Sequence, residues 1–157
     1  MTETSVVQGA LAECWAGEVA GVAYYATLGE RFPEHRDEAD VLVLVEKTTR
    51  DLIGAVARTY GVSIDEDDAE RAGVEFAKMG GDWREVLESA SAVAPHTLRM
   101  FENLADVLPD NESALARAVV EHERAQIAWF ESALANKPYD WSGIDAFLEG
   151  HGARRTS

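Results

Sequence analysis

The chain has 157 residues, 46% of them hydrophobic, and a formal net charge of −15 from 29 acidic and 14 basic side chains. That length suits one domain, residues 1–157, with a sizeable core; no apolar run approaches the ~20 residues of a membrane helix, and the acidic balance excludes a nucleic-acid phosphate surface. A single cysteine, Cys14, excludes an intrachain disulfide and points to a reducing cytoplasm, and the first ten residues lack the basic-then-apolar pattern of a signal peptide.

Apolar residues recur at steps of three and four from the start. Val7, Leu11, Cys14, Glu18, Val22, Tyr25 and Leu28 predict a helix over about residues 5–31. Phe32-Pro33 breaks it. A second helix follows over about 34–60, with the stripe Leu42, Glu46, Thr49, Ile53, Val56 and Tyr60 and with Gly61 as its C-terminal cap. The short turn predicts an antiparallel hairpin.

Residues 61–81 read as a crossover. Ser63 and Glu66 have capping-box spacing, so a short helix is expected from about Asp65 to Met79, ended by Gly80-Gly81. The acidic run Asp65-Glu66-Asp67-Asp68 reads as a solvated helix start. Asp82 and Glu85 make a second capping box for a helix over about 82–108, whose stripe is Leu87, Ala90, Ala94, Thr97, Phe101, Leu104 and Leu108. Pro95 lies inside it and is expected to kink it. After Pro109-Asp110-Asn111, a fourth long helix spans about 112–135, with Ala116, Val119, Val120, Glu123, Ile127, Phe130 and Leu134 on one face. The extension 138–157 holds a short helix around Gly143 to Leu148, and the chain is expected to fray from His151 onward.

Three glutamates interrupt these apolar stripes. Glu18 lies about a dozen residues before the first hairpin turn, and Glu46 and Glu123 lie about a dozen after their turns, so all three fall at one level, some 18–20 Å from the turns. Three like charges together in a core need a metal, protons or strong hydrogen bonds. They are the candidate catalytic and metal-binding residues.

This pattern resembles the ferritin-like and rubrerythrin-like superfamily of di-iron carboxylate proteins, over roughly residues 5–135. That superfamily has one Glu on each of two helices and Glu-x-x-His on the other two. Glu18 matches the lone Glu of the first helix. Glu46-Lys47-Thr48-Thr49 matches the second-helix motif with Thr for His, and Glu123-Arg124-Ala125-Gln126, followed by Phe130, looks like the fourth-helix motif with Gln for His. No glutamate stands on the third-helix stripe, where Ala90 or Ala94 falls. The resemblance implies an all-α, ferritin-like four-helix bundle: two antiparallel hairpins, a long crossover and a short C-terminal helix.

It also implies an Fe or Mn site, but a depleted one. Thr49 and Gln126 are weak neutral ligands, and both histidines and a bridging acid are missing. Iron storage is not expected. A metal-free polar core, in which the glutamates share protons with Thr49 and Gln126, accounts for the same residues and is the preferred expectation. His122 lies about 100° off the stripe and is expected to face another helix or solvent, with a metal-ligand role as the lesser alternative. His96, beside Pro95, is a replacement ligand or base if the kink turns it inward; His35 and His151 sit near turns or termini. Cys14 reads as a buried, inert thiol. Tyr25 is expected in the core with its hydroxyl tied to a carboxylate or backbone group. Gly17 and Gly21, four apart, allow close helix contact.

Three functions are compatible with these residues. One is a divergent mono- or di-metal oxidase or hydroxylase. Another is a metal-free bundle that binds a small apolar ligand beside Ala90, Ala94 and Thr97, or does acid–base chemistry with a buried glutamate. The third is a non-catalytic partner subunit. A homodimer is the expected assembly.

Overall fold

The computed structural model describes residues 2–155. Among them are six α-helices and no strand: α1 (Glu3–Arg31), α2 (Arg36–Thr59), α3 (Glu66–Ala77), α4 (Trp83–Val107), α5 (Ser113–Leu134) and α6 (Ser142–Gly150). Single 3₁₀ turns at Pro33–His35 and Asp110–Glu112 lead into α2 and α5.

The helix ends follow local chemistry. The Thr2 hydroxyl caps α1 by accepting from the Ser5 amide. The end of α2 is a Schellman turn: Gly61 takes φ +71°, the Gly61 amide donates to the Arg58 carbonyl, and the Val62 amide reaches back to Ala57. Asp82 and Glu85 form the expected capping box of α4. The expected Ser63–Glu66 box does not form. Asp65 caps α3 instead, accepting from the Asp68 amide, because its carboxylate already stands at the N-cap with extended backbone. The Pro33 turn postpones α2 to Arg36. At the other end, the chain folds back rather than fraying at His151. The Ala153 amide donates to Leu148, and Arg155 pairs with Asp145 and lies over the Trp141 ring at 4.8 Å. The expected fraying of Thr156 and Ser157 lies outside the described residues.

Packing follows the stripes. α1 lies along α2 and α4 along α5, while contacts of α1 with α4 and of α2 with α5 close the four long helices into a ring. α6 lies on α5 and touches α2. α3 packs against α1 and against no other helix. Gly73 allows that contact: a Cβ there would run into the backbone carbonyl of Ala20. Arg31, at the end of α1, fixes the C-terminal end of α3 by donating to the carbonyls of Ala77, Met79, Gly80 and Gly81 at 2.6–2.9 Å.

Two apolar clusters fill the ring. One gathers Val7, Leu11, Cys14, Ile53, Phe101, Leu104 and Val119. The other gathers Tyr25, Leu28, Leu42, Val45, Trp129, Phe130 and the α6 residues Ile144, Phe147 and Leu148. Between them lie the buried polar side chains Glu18, Glu46, Thr49, His122, Glu123 and Gln126.

Candidate metal centre and its cavity

The three glutamates meet from three helices, each carried inward by the apolar stripe it interrupts. Glu18 comes from α1, Glu46 from α2 and Glu123 from α5, and all three are buried. Gly21 makes the meeting sterically possible, since a Cβ at that position would overlap the Glu46 carboxylate. Gly17 is open to the Met100 methyl instead, 3.2 Å from where its Cβ would stand. Both glycines thus admit side chains of facing helices.

His122 is fully buried in the same layer and faces other helices rather than solvent, the first of its two expected places. Its Nε2 lies 3.2 Å from Glu18 Oε1, close enough to share one proton, and 3.8 Å from Glu123 Oε2. Its ring packs edge-on against Phe101 of α4, and Phe147 of α6 lies 5.9 Å away. The reason is α6. By covering the outer flank of α5, it buries a second stripe: Leu115, Ala118, His122, Ala125 and Trp129. Those residues step by three and four as regularly as the stripe through Glu123, so the period of α5 admits a second buried face, and the docking of α6 decides that it is buried.

Gln126 and Tyr25 complete the layer. The Gln126 amide donates to Glu46 Oε1 at 2.6 Å, and the Tyr25 hydroxyl donates to Gln126 Oε1 at 3.0 Å. The chain Tyr25–Gln126–Glu46 thereby fixes the direction of the Glu46 carboxylate. Thr49 is buried one turn away, but its hydroxyl donates back to the Val45 carbonyl at 3.2 Å and adds nothing to the cluster. α4 runs through Pro95 without a break, and His96 stays exposed, lining the cavity rather than joining the carboxylates. Cys14 is buried with its Sγ 3.7 Å from the Met100 carbonyl; burial, with the charges of Glu18 and Glu13 behind it, pushes the thiol up. It is inert.

Burial dominates the electrostatics. It alone pushes Glu18 well above the carboxylate range. Glu46 is pushed up to about 8, by burial first and then by the Glu18 charge, against the opposing pull of His122 and Gln126. Burial also pushes Glu123 up to about 8, where His122 opposes and Glu46 and Glu18 add to the rise. A positive charge placed among them would reverse all three shifts.

Donor atoms of Glu18, Glu46 and His122 all lie within 4.8 Å of one another. An ion bonded at about 2.1 Å to each ligand holds them no more than about 4.2 Å apart, so closure requires a shift of only about half an ångström. Glu18 Oε2 is buried with no hydrogen-bond partner among the described residues, which leaves one carboxylate oxygen open to a cation. Two carboxylates and an imidazole suit Fe, Mn or Zn. One departure stands out: His122 Nδ1 meets no acceptor, so nothing beyond the ring orients it as a ligand.

The cluster is the floor of a cavity of about 320 Å³ between α1, α3 and α4. Its walls are mainly small or apolar, including Ala90, Ala94, Met100, Phe101 and Phe130. Phe76 and Val93, which also line it, are 41% and 44% exposed. The opening exists because α3 leans on α1 and leaves α4 uncovered.

Comparisons with protein-family models, with curated proteins and with solved structures return no match to this chain. No helix of the described residues is long and apolar enough to cross a membrane.

Proposed function

We propose that this chain is a divergent ferritin-like protein that holds one divalent transition-metal ion, Fe or Mn, at the floor of a cavity for a small apolar molecule. The ring of four long helices with a crossover between its hairpins supports the ferritin-like reading. The observation that carries the metal is the convergence of Glu18, Glu46 and His122 within 4.8 Å, with Glu18 Oε2 unpartnered. His122 supplies the imidazole that the second- and fourth-helix motifs lack, and for that reason a metal is preferred to a metal-free polar core.

In this reading Glu18, Glu46 and His122 hold the ion. A bound dication would supply Lewis-acid or redox chemistry to a molecule beside it. Gln126, braced by the Tyr25 hydroxyl, keeps Glu46 aimed at the floor. The apolar clusters on both sides confine access to the ligands to the cavity side. One imidazole and no second histidine argue against a two-metal site, and nothing in the cluster suits iron storage.

The test is metal content after anaerobic loading with Fe(II) or Mn(II) and desalting. The expected result is about one ion per chain in the wild type and none in Glu18→Ala. Wild type that retains no metal sinks the proposal.

A further inference from the structure

One carboxylate at the floor is left over. Glu46 accepts from Gln126, and Glu18 faces His122. Glu123 has neither kind of partner. It is only 6% exposed and lines the cavity, yet it accepts no hydrogen bond among the described residues. The nearest basic atom, His122 Nε2, stands 3.8 Å away, beyond hydrogen-bond reach. Unlike Glu18 Oε2, its carboxylate oxygens are not sealed away from the cavity, so they stand open there as acceptors for an occupant that supplies a donor.

The neighbouring groups define that occupant. Two donors at the floor are already committed, Gln126 Nε2 to Glu46 and the Tyr25 hydroxyl to Gln126, while His122 Nε2 faces Glu18 and is a metal ligand in the proposed reading. What remains free is acceptor oxygen, so the head of the ligand is a donor. No Lys or Arg lines the cavity among the described residues, and an anionic head would meet carboxylates inside a chain of net charge −15. Three glutamates line this floor with no Lys or Arg among the lining residues, so a cationic donor suits it better than a neutral one. The walls ask for an apolar body, and about 320 Å³ is room for roughly ten water volumes at about 30 Å³ each, enough for a chain of about six carbons.

We propose that the cavity binds a small apolar molecule bearing a protonated amine, with Glu123 as the acceptor for its ammonium group. The apolar body lies along Ala90, Ala94 and Phe130, and its far end reaches the opening at Phe76 and Val93. The inference deepens the metal reading by naming what sits beside the ion, and it rests on that reading for the ion's presence.

The experiment is calorimetric titration of Mn(II)-loaded protein at pH 7 with hexylamine, 1-hexanol and hexanoate, with the Mn content of every sample measured. Hexylamine is expected to bind at least about tenfold tighter than hexanol, and hexanoate weakest of the three. Glu123→Gln is expected to bring hexylamine to within about threefold of hexanol while hexanol and Mn content hold. Ala90→Leu, which narrows the cavity and leaves every floor residue intact, is expected to weaken both ligands together. Equal binding of amine and alcohol, tightest binding of hexanoate, or an amine preference that survives Glu123→Gln overturns the proposal. Protein that holds Mn without preferring the amine defeats this inference alone. Protein that holds no Mn, yet prefers the amine through Glu123, defeats the metal reading alone.

Discussion

The two flanks of the carboxylate layer are built in opposite ways. On the α5–α6 flank, His122 is closed in by Phe101 and Phe147, and Trp129, Ile144 and Leu148 pack behind it with no exposure above zero. On the α3–α4 flank, the neighbours are Gly17, Ala90 and Ala94, and the layer is reached through an opening edged by exposed Phe76 and Val93. The same cluster of glutamates is therefore sealed behind and accessible in front. A short terminal helix does the sealing, and a crossover helix that leans away does the opening. The lesson is that access to a buried site can be set by elements outside the four helices that carry its ligands.

Replacing the sealed-side ligand tests this contrast most strongly. His122→Ala is expected to lower Mn(II) affinity by more than about a hundredfold in a competition titration with a chelator, since the only imidazole in the cluster is lost. An affinity within a few-fold of wild type would remove His122 from the ligand set.

Next in size is the packing difference between the flanks. Phe147→Ala is expected to cost about 3–5 kcal/mol in urea unfolding, because the ring is buried against His122 and α5. Phe76→Ser, on the open flank and 41% exposed, is expected to cost less than about 1 kcal/mol. Similar costs at the two positions would erase the contrast.

The third effect is a pH dependence of the metal-free protein. Glu46 and Glu123 are each raised from 4.5 to about 8 by burial. The folded state therefore holds protons that the unfolded chain has released between those values. The stability contributed by the protonated forms is fully present below pH 4.5 and is lost as pH rises through about 8. A fall of several kcal/mol is expected between pH 5 and pH 8, since each group contributes up to about 1.4 kcal/mol per pH unit between its two values. Glu46→Gln/Glu123→Gln is expected to flatten it. Stability that rises with pH in the wild type would contradict the buried, protonated cluster.

The smallest effect concerns Thr49. Its hydroxyl is spent on the Val45 carbonyl, so Thr49→Val is expected to leave metal content unchanged and stability within about 1 kcal/mol. Loss of metal in this variant would return Thr49 to the site.

These residues also mark what the sequence could convey. Helical periodicity places Glu18, Glu46 and Glu123 on inward faces, and counting from the turns puts them at one level, because rise per residue is nearly constant in a helix. The caps at Gly61 and Asp82 are local and equally readable. His122 is a different matter. Its burial depends on where α6 docks, and docking is a tertiary fact that the period of α5 alone does not contain. The same holds for the cavity: Ala90 and Ala94 suggest space, but the opening arises from α3 packing on α1 without reaching α4. At Pro95 the helix is not interrupted, and His96 beside it stays exposed at the cavity instead of joining the carboxylates, a placement the proline alone does not decide.

Arg31 has a consequence for the shape of the cavity. One guanidinium gathers four carbonyls where α3 ends, and apart from α3's own contact with α1 it is the fastening described at that end of the helix. A lysine could not span them, because its three donors radiate from a single nitrogen. The α3 wall of the cavity, at Ala72, Gly73 and Phe76, is thus held from its end by a side chain that is not itself among the lining residues.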